Sequence, residues 1–263
     1  MPRRSRTTTI GLILTVILAA WPISVTGQEA LPTTVVVRAI AQDAKIIGSG
    51  VGGARITIRD ARSGEVLASG VQEGGTGDTQ AIMGDRPRAG GVFDTEGAAH
   101  FEATVALSEP TPVVIEAEGP LGTEHAIQRS TTSLLLVPGH HILGDGVVLT
   151  LHGFTVELVD APAEVAGGET LTVAAKITML CGCPTEPGGR WDADGYDLSL
   201  ALVGEAGAVV SAALLYSGET SHYQGEIAVP TGLEPGAFRL RIVAVQASRA
   251  NAGMVEHPIR ILP

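Results

Sequence analysis

Beyond its first 27 residues this sequence carries no sustained helical apolar repeat. β-Branched and alternating apolar runs return every ~10–15 residues instead, with Gly, Pro, Asp and Asn between them. Runs that read as strands lie near 34–41, 54–60, 66–71, 99–107, 112–117 and 125–137. A second set lies near 147–151, 154–158, 170–178, 196–203, 208–216, 223–229, 238–247 and 257–262. Only 3% of residues are aromatic and 34 are glycine, so the core must be built from Val, Ile, Leu and Ala between glycine turns, a composition suited to short strands. The fold this pattern implies is all-β, with two small antiparallel β-sandwich domains in tandem behind an N-terminal signal peptide.

The N-terminal segment, residues 1–27, has the order expected of an export signal. Arg3, Arg4 and Arg6 form a basic start, the apolar run IGLILTVILAA follows, and Pro22 and Val25-Thr26-Gly27 lead out of it. A bilayer span needs ~20 apolar residues, and Pro22 interrupts this run too early. The Arg3-Arg4 pair is followed by Ser5-Arg6-Thr7 rather than by an apolar pair, which favours general secretion over twin-arginine export. The protein is therefore expected in the periplasm or at the cell surface, with no membrane span in the mature chain.

Taking those three arginines from 17 basic residues leaves 14 against 28 acidic ones, a formal charge of −14 for the mature chain. That sign repels phosphate backbones and anionic lipid, which argues against nucleic acid or a membrane surface as partner.

Turn chemistry punctuates the strands. Ala61-Arg62-Ser63-Gly64 and Asp94-Thr95-Glu96-Gly97 read as hairpin turns. In Phe238-Arg239-Leu240-Arg241-Ile242, apolar and basic residues alternate as on a half-buried strand. The stretch PGHHILGDG, with one Pro and three Gly, marks a linker over 138–153. The longest irregular stretch, 72–91, is of a length that tends to be functional or mobile. Its Gly74–Gly77 part lacks the Lys-Ser/Thr end of a phosphate cradle.

These residues carry two resemblances. Gly53-Ala54-Arg55-Ile56-Thr57-Ile58, Ser63-Gly64, Asp94-Thr95-Glu96-Gly97-Ala98 and Val113-Val114-Ile115-Glu116-Ala117 make residues 33–137 resemble the carboxypeptidase regulatory-like, transthyretin-like sandwich of bacterial exported proteins. The 72–91 stretch departs from that pattern as a long insertion. Residues 154–263 resemble a bacterial immunoglobulin-like domain, through Ala166-Gly167-Gly168-Glu169-Thr170-Leu171-Thr172-Val173 and Leu233-Glu234-Pro235-Gly236-Ala237-Phe238-Arg239-Leu240. The resemblances imply spacer, adhesion or accessory roles, not a reaction.

The sharpest local feature is Cys181-Gly182-Cys183, at the expected end of the strand 170–178. Two thiolates this close, with the Met179 thioether, form a soft ligand set that selects Cu(I), and His222 or His152 would add a nitrogen if the fold brings either near. A tetrahedral zinc site lacks a second ligand pair at the usual spacing. Three readings of the pair stay open at this level: metal or thiol chemistry, a small structural disulfide, or two buried inert thiols.

Asp192-Ala193-Asp194-Gly195-Tyr196-Asp197 has the alternating oxygens of a calcium loop but no helix-flanked bidentate Glu after it, so it reads as a polar turn. His140-His141 reads as a solvated hinge pair, and His100, His125 and His257 have no partner nearby in sequence. No G-x-S-x-G element occurs. The expectation is thus an exported, non-enzymatic accessory or binding protein of the cell envelope, meeting an envelope protein or surface polymer through sandwich faces and long loops. The alternative is a periplasmic copper-binding protein using Cys181, Cys183 and Met179.

Overall fold

The computed structural model describes residues 29–85 and 91–263. The signal-peptide reading and the Arg86-Pro87-Arg88 stretch lie outside the described residues.

Residues 31–151 form two sheets. Their strands are β1 (Leu31–Ala41), β2 (Ala54–Asp60), β3 (Val66–Gln72), β4 (Phe101–Leu107), β5 (Thr111–Gly119), β6 (Gln128–Leu136) and β7 (Ile142–Leu151), with one short helix, α1 (Thr79–Met83). The sheet orders are β4-β1-β7 and β3-β2-β5-β6. Val35, Val37 and Ala39 of β1 enter a core shared with Ile56, Ile58, Val113 and Ile115 of the facing sheet. Each such Val or Ile side chain withdrawn from water stabilises the fold by about 1.5–3 kcal/mol.

β1 is buried without a break from Val35 to Ala41, which one sheet face cannot explain. Its second face is roofed by described residues of 73–85 and 91–99. Ile82 of α1, Val92, Phe93, Ala98 and Ala99 pack with Ile40 and Ile46 into a separate small core. The stretch 72–91, expected to be irregular and free, therefore belongs in its described part to a cap. Asp78 caps α1 by accepting from the Ala81 N–H at 2.8 Å. At the entrance to this segment Gln72, fully buried, bonds Ala39 N (2.7 Å), Ala39 O (3.0 Å) and Ile47 O (2.7 Å) through its amide.

Residues 138–153 also differ from expectation. Their larger part is β7, which runs parallel to β1, with a register shift opposite Val35–Val37. The displaced residues include Asp145, whose carboxylate accepts from Val92 N, Phe93 N and Asp94 N, each at 2.8 Å. A bulge thus re-aims one acid to hold the cap. Gly-rich composition suggested a linker because bulges use the same residue types.

Residues 154–262 form a second pair of sheets. The strands are β8 (Phe154–Asp160), β9 (Glu164–Ala166), β10 (Thr170–Met179), β11 (Asp197–Gly204), β12 (Gly207–Ala213), β13 (Leu215–Tyr216), β14 (His222–Ala228), β15 (Gly236–Gln246) and β16 (Asn251–Leu262). Their orders are β13-β14-β10-β8 and β12-β11-β15-β16-β9. Leu171, Val173 and Ile177 face Leu200, Leu202, Leu240 and Ile242 across the core. The described residues are all-β as expected, and their paired strands are antiparallel except at β1/β7 and β9/β16. One apolar cluster takes in residues of both halves, Leu151 and Phe154 among them. No helix among the described residues is long and apolar enough to cross a membrane.

Candidate functional site at the joint between the two halves

β10 ends at Met179, and the chain turns back at once. Gly182 N donates to Met179 O (2.8 Å) and Met179 N to Cys183 O (3.1 Å), closing a tight loop in which Gly182 takes φ +74°. Cys181 and Cys183 are joined as a disulfide, with Cα atoms 5.3 Å apart. The loop is pressed on the first half. A Cβ on Gly182 would stand 2.9 Å from Val51 Cγ1, in the turn Ser49–Val51.

The next segment is held rigidly. Thr185 donates through Oγ1 to Ile177 O (2.6 Å) and shares a hydrogen bond with the Tyr223 hydroxyl (2.9 Å). Asp192 accepts from Gly188 N (2.8 Å) and Asp194 N (3.0 Å). Those two N–H groups, Asp194's first, hold its carboxyl below the usual carboxylate range against the opposing effect of burial. The segment read as a polar turn is one, the 3-10 turn Ala193–Gly195.

This scaffold delivers Trp191 to the first half, where its indole N–H donates to Asp43 O at 3.0 Å. Around that contact, Arg249 Nε lies 3.4 Å from Asp43 Oδ2 and Asn251 Nδ2 donates to Gln42 O at 3.3 Å. His125 Nε2 also links the halves, meeting Val156 O at 2.7 Å. Between the halves a cleft of 230 Å³ is lined by Lys45 and Thr79 on one side and by Cys181, Cys183, Arg190 and Trp191 on the other. Lys45 Nζ is steadied by donation to Thr79 Oγ1 at 3.0 Å.

The expected copper ligands Met179, Cys181 and Cys183 are thus neighbours, but not as ligands. The sulfurs of Cys181 and Cys183 are bonded to each other, and a disulfide offers no thiolate to a soft cation. Met179 is buried in the core, where its sulfur accepts from the Tyr196 hydroxyl at 3.6 Å. Burial pushes the Tyr196 phenol well above its ordinary value, so it remains a donor. The histidines proposed to join them are engaged elsewhere, His222 Nδ1 at Thr220 O (3.0 Å) and His152 Nδ1 at Arg249 O (3.3 Å). Among the described residues no group of three or more His, Cys, Asp or Glu side chains is placed to hold a metal ion. His141, read as a solvated hinge residue, accepts through Nδ1 from Thr34 N at 2.9 Å.

Sequence reasoning assigned no role to Trp191, Asp43 or Arg38. Trp191 had a signal: it is one of only two tryptophans, with Trp21, in an aromatic-poor chain. Arg38, only 2% exposed, pairs through Nη2 with Asp94 at 2.8 Å and through Nη1 with Gly144 O. Its Nε has no partner among the described residues.

No protein-family model matches the chain, and no curated protein does. Among solved structures it aligns with the fibronectin(III)-like modules of Clostridium thermocellum CbhA at 13% identity and TM-score 0.27, over 88% of this chain and 93% of that one. It aligns with a tetra-tandem repeat from the extending region of a large adhesion protein at 12% and 0.28, over 88% and 49%. Domains 4 and 5 of the S-layer protein SbsC align at 8% and 0.26, over 89% and 100%. Likenesses this distant carry no argument, and the fold rests on the sheets themselves.

Proposed function

We propose that this chain is an exported, non-catalytic binding protein of the cell envelope, with two sandwiches held as one unit that presents sheet faces and loops to an envelope protein or surface polymer. The observation that carries this reading is the joint. Trp191, Arg249 and Asn251 grip the turn 42–44, and one apolar cluster takes in residues of both halves. Such a joint fixes the relative orientation of two modules, which a presenting or spacing role needs and an independent pair of domains lacks. We read the first half as the transthyretin-like module and the second as the immunoglobulin-like one, with β7 belonging to the first.

The excess of acid over base supports a partner that is not nucleic acid. Expression with residues 1–27 in place tests the reading. The chain should leave the cytosol shortened by about that segment, read by intact mass, and the released protein should bind isolated envelopes saturably. Retention in the cytosol at full length would sink the export half. Release without saturable binding would sink the binding half.

A further inference from the structure

The disulfide stands in an unusual setting for a merely structural bond. It closes a loop of three residues, so it removes little freedom from the unfolded chain. Both cysteines are only 4% exposed, yet they line a cleft between the halves whose lining also includes two cations from different parts of the fold, Lys45 and Arg190. Lys45 is held at its rim by Thr79, and Arg190 is exposed two residues before the Asp192 turn. Cationic groups beside a sulfur favour the thiolate over the thiol, which makes that sulfur a better leaving group and attracts an anionic attacking thiolate.

We propose that the Cys181–Cys183 bond is a thiol–disulfide exchange centre whose substrate is a dithiol, either a small molecule or a cysteine pair of another exported protein. One thiolate of the substrate attacks a sulfur of the pair, having released its proton to solvent. The Cys181–Cys183 bond breaks, a mixed disulfide forms, and the other cysteine leaves as a thiolate in the cationic cleft. The second substrate thiolate then displaces the protein sulfur. The substrate leaves oxidised to its disulfide, and Cys181 and Cys183 remain as two thiols after taking up two protons. Two electrons pass from substrate to protein, and no further reactant is required for this single turnover. The inference is independent of the envelope-binding reading, since the site lies in the joint and not on an outer face.

The test is thiol counting on the native full chain against dithiothreitol and, separately, against a reduced two-cysteine peptide. Two thiols should appear under native conditions with Trp191 fluorescence still that of folded protein. Arg190→Gln and Lys45→Gln should each slow the exchange by about two- to fivefold at low salt, with the difference shrinking as salt rises. Both variants leave the disulfide and the Trp191–Asp43 contact in place, so folding is separable from reactivity. Reaction with dithiothreitol but not with the peptide would limit the substrate to small dithiols. Thiols that appear only in denaturant, or exchange rates indifferent to both charges, would overturn the proposal.

Discussion

Trp191 and Asp43 stand 148 residues apart in sequence, yet the indole N–H of one donates to the backbone carbonyl of the other at 3.0 Å. Trp191 is 8% exposed, so the contact combines a large apolar surface with a directed hydrogen bond. It is the centre of the joint, and its removal should be felt in both halves.

Trp191→Phe keeps most of the ring and loses the N–H, and should cost about 1 kcal/mol. Trp191→Ala also opens a cavity and should cost about 3–5 kcal/mol. Denaturant unfolding followed by circular dichroism measures both. The alanine variant should also split one transition into two as the halves uncouple. Superimposable curves for all three proteins would show that the joint contributes nothing.

Asp145 links pH to the cap over β1. Burial by itself would raise its carboxyl, but the N–H groups of Val92, Asp94 and Phe93, with the Arg38 guanidinium, outweigh that and hold it below its ordinary value. A carboxyl depressed in the folded state contributes stability that is present above its unfolded pKa and lost as pH falls through the folded one. Unfolding free energy should therefore drop on acidification below about pH 4. Asp145→Asn, which lowers stability at neutral pH, should flatten that acid limb; an unchanged limb would exclude Asp145 as its source.

Two glycines with similar φ should respond differently to alanine. Gly146 takes φ +69°, and a Cβ there falls on the Val36 carbonyl of the neighbouring strand. Gly64 takes φ +75° with open space around it. Gly64→Ala should cost about 1–2 kcal/mol from conformation alone. Gly146→Ala should cost clearly more and weaken amide-exchange protection along β1 and β7. Equal costs would mean that the β1–β7 pairing tolerates the collision.

Gln72→Leu conserves volume while stranding Ala39 N and Ile47 O, both paired by the Gln72 amide, whereas Ala39 O keeps the Ile47 N–H at 3.1 Å. A loss of about 2–4 kcal/mol follows from unsatisfied buried backbone groups, measurable by thermal or denaturant unfolding. A neutral outcome would require another donor and acceptor to reach the same atoms.

Much of the strand pattern was legible because alternation and turn residues act locally. The strand expected at 54–60 is β2 without change, and that expected at 170–178 extends one residue to Met179. β9, three residues long, and α1, five, are too short to show a period. The cap was missed for a related reason. Its apolar residues Ile82, Val92 and Phe93 are spread through a glycine-rich stretch and acquire a common face only against Ile40. At the candidate site, the spacing of Cys181 and Cys183 marked the position but left their oxidation state open.

The sequence by itself determined the all-β class and nearly every strand, since period-two patterning and glycine turns are properties of neighbours along the chain. Tertiary structure alone decided that Arg38, in an apolar strand, would be buried against Asp94 and the Gly144 carbonyl. It also decided that β7 would join the first half, and that the cysteine loop and Trp191 would meet residues 43–51. Those outcomes depend on which groups distant in sequence must be covered or hydrogen-bonded once the sheets close, a constraint that exists only in three dimensions.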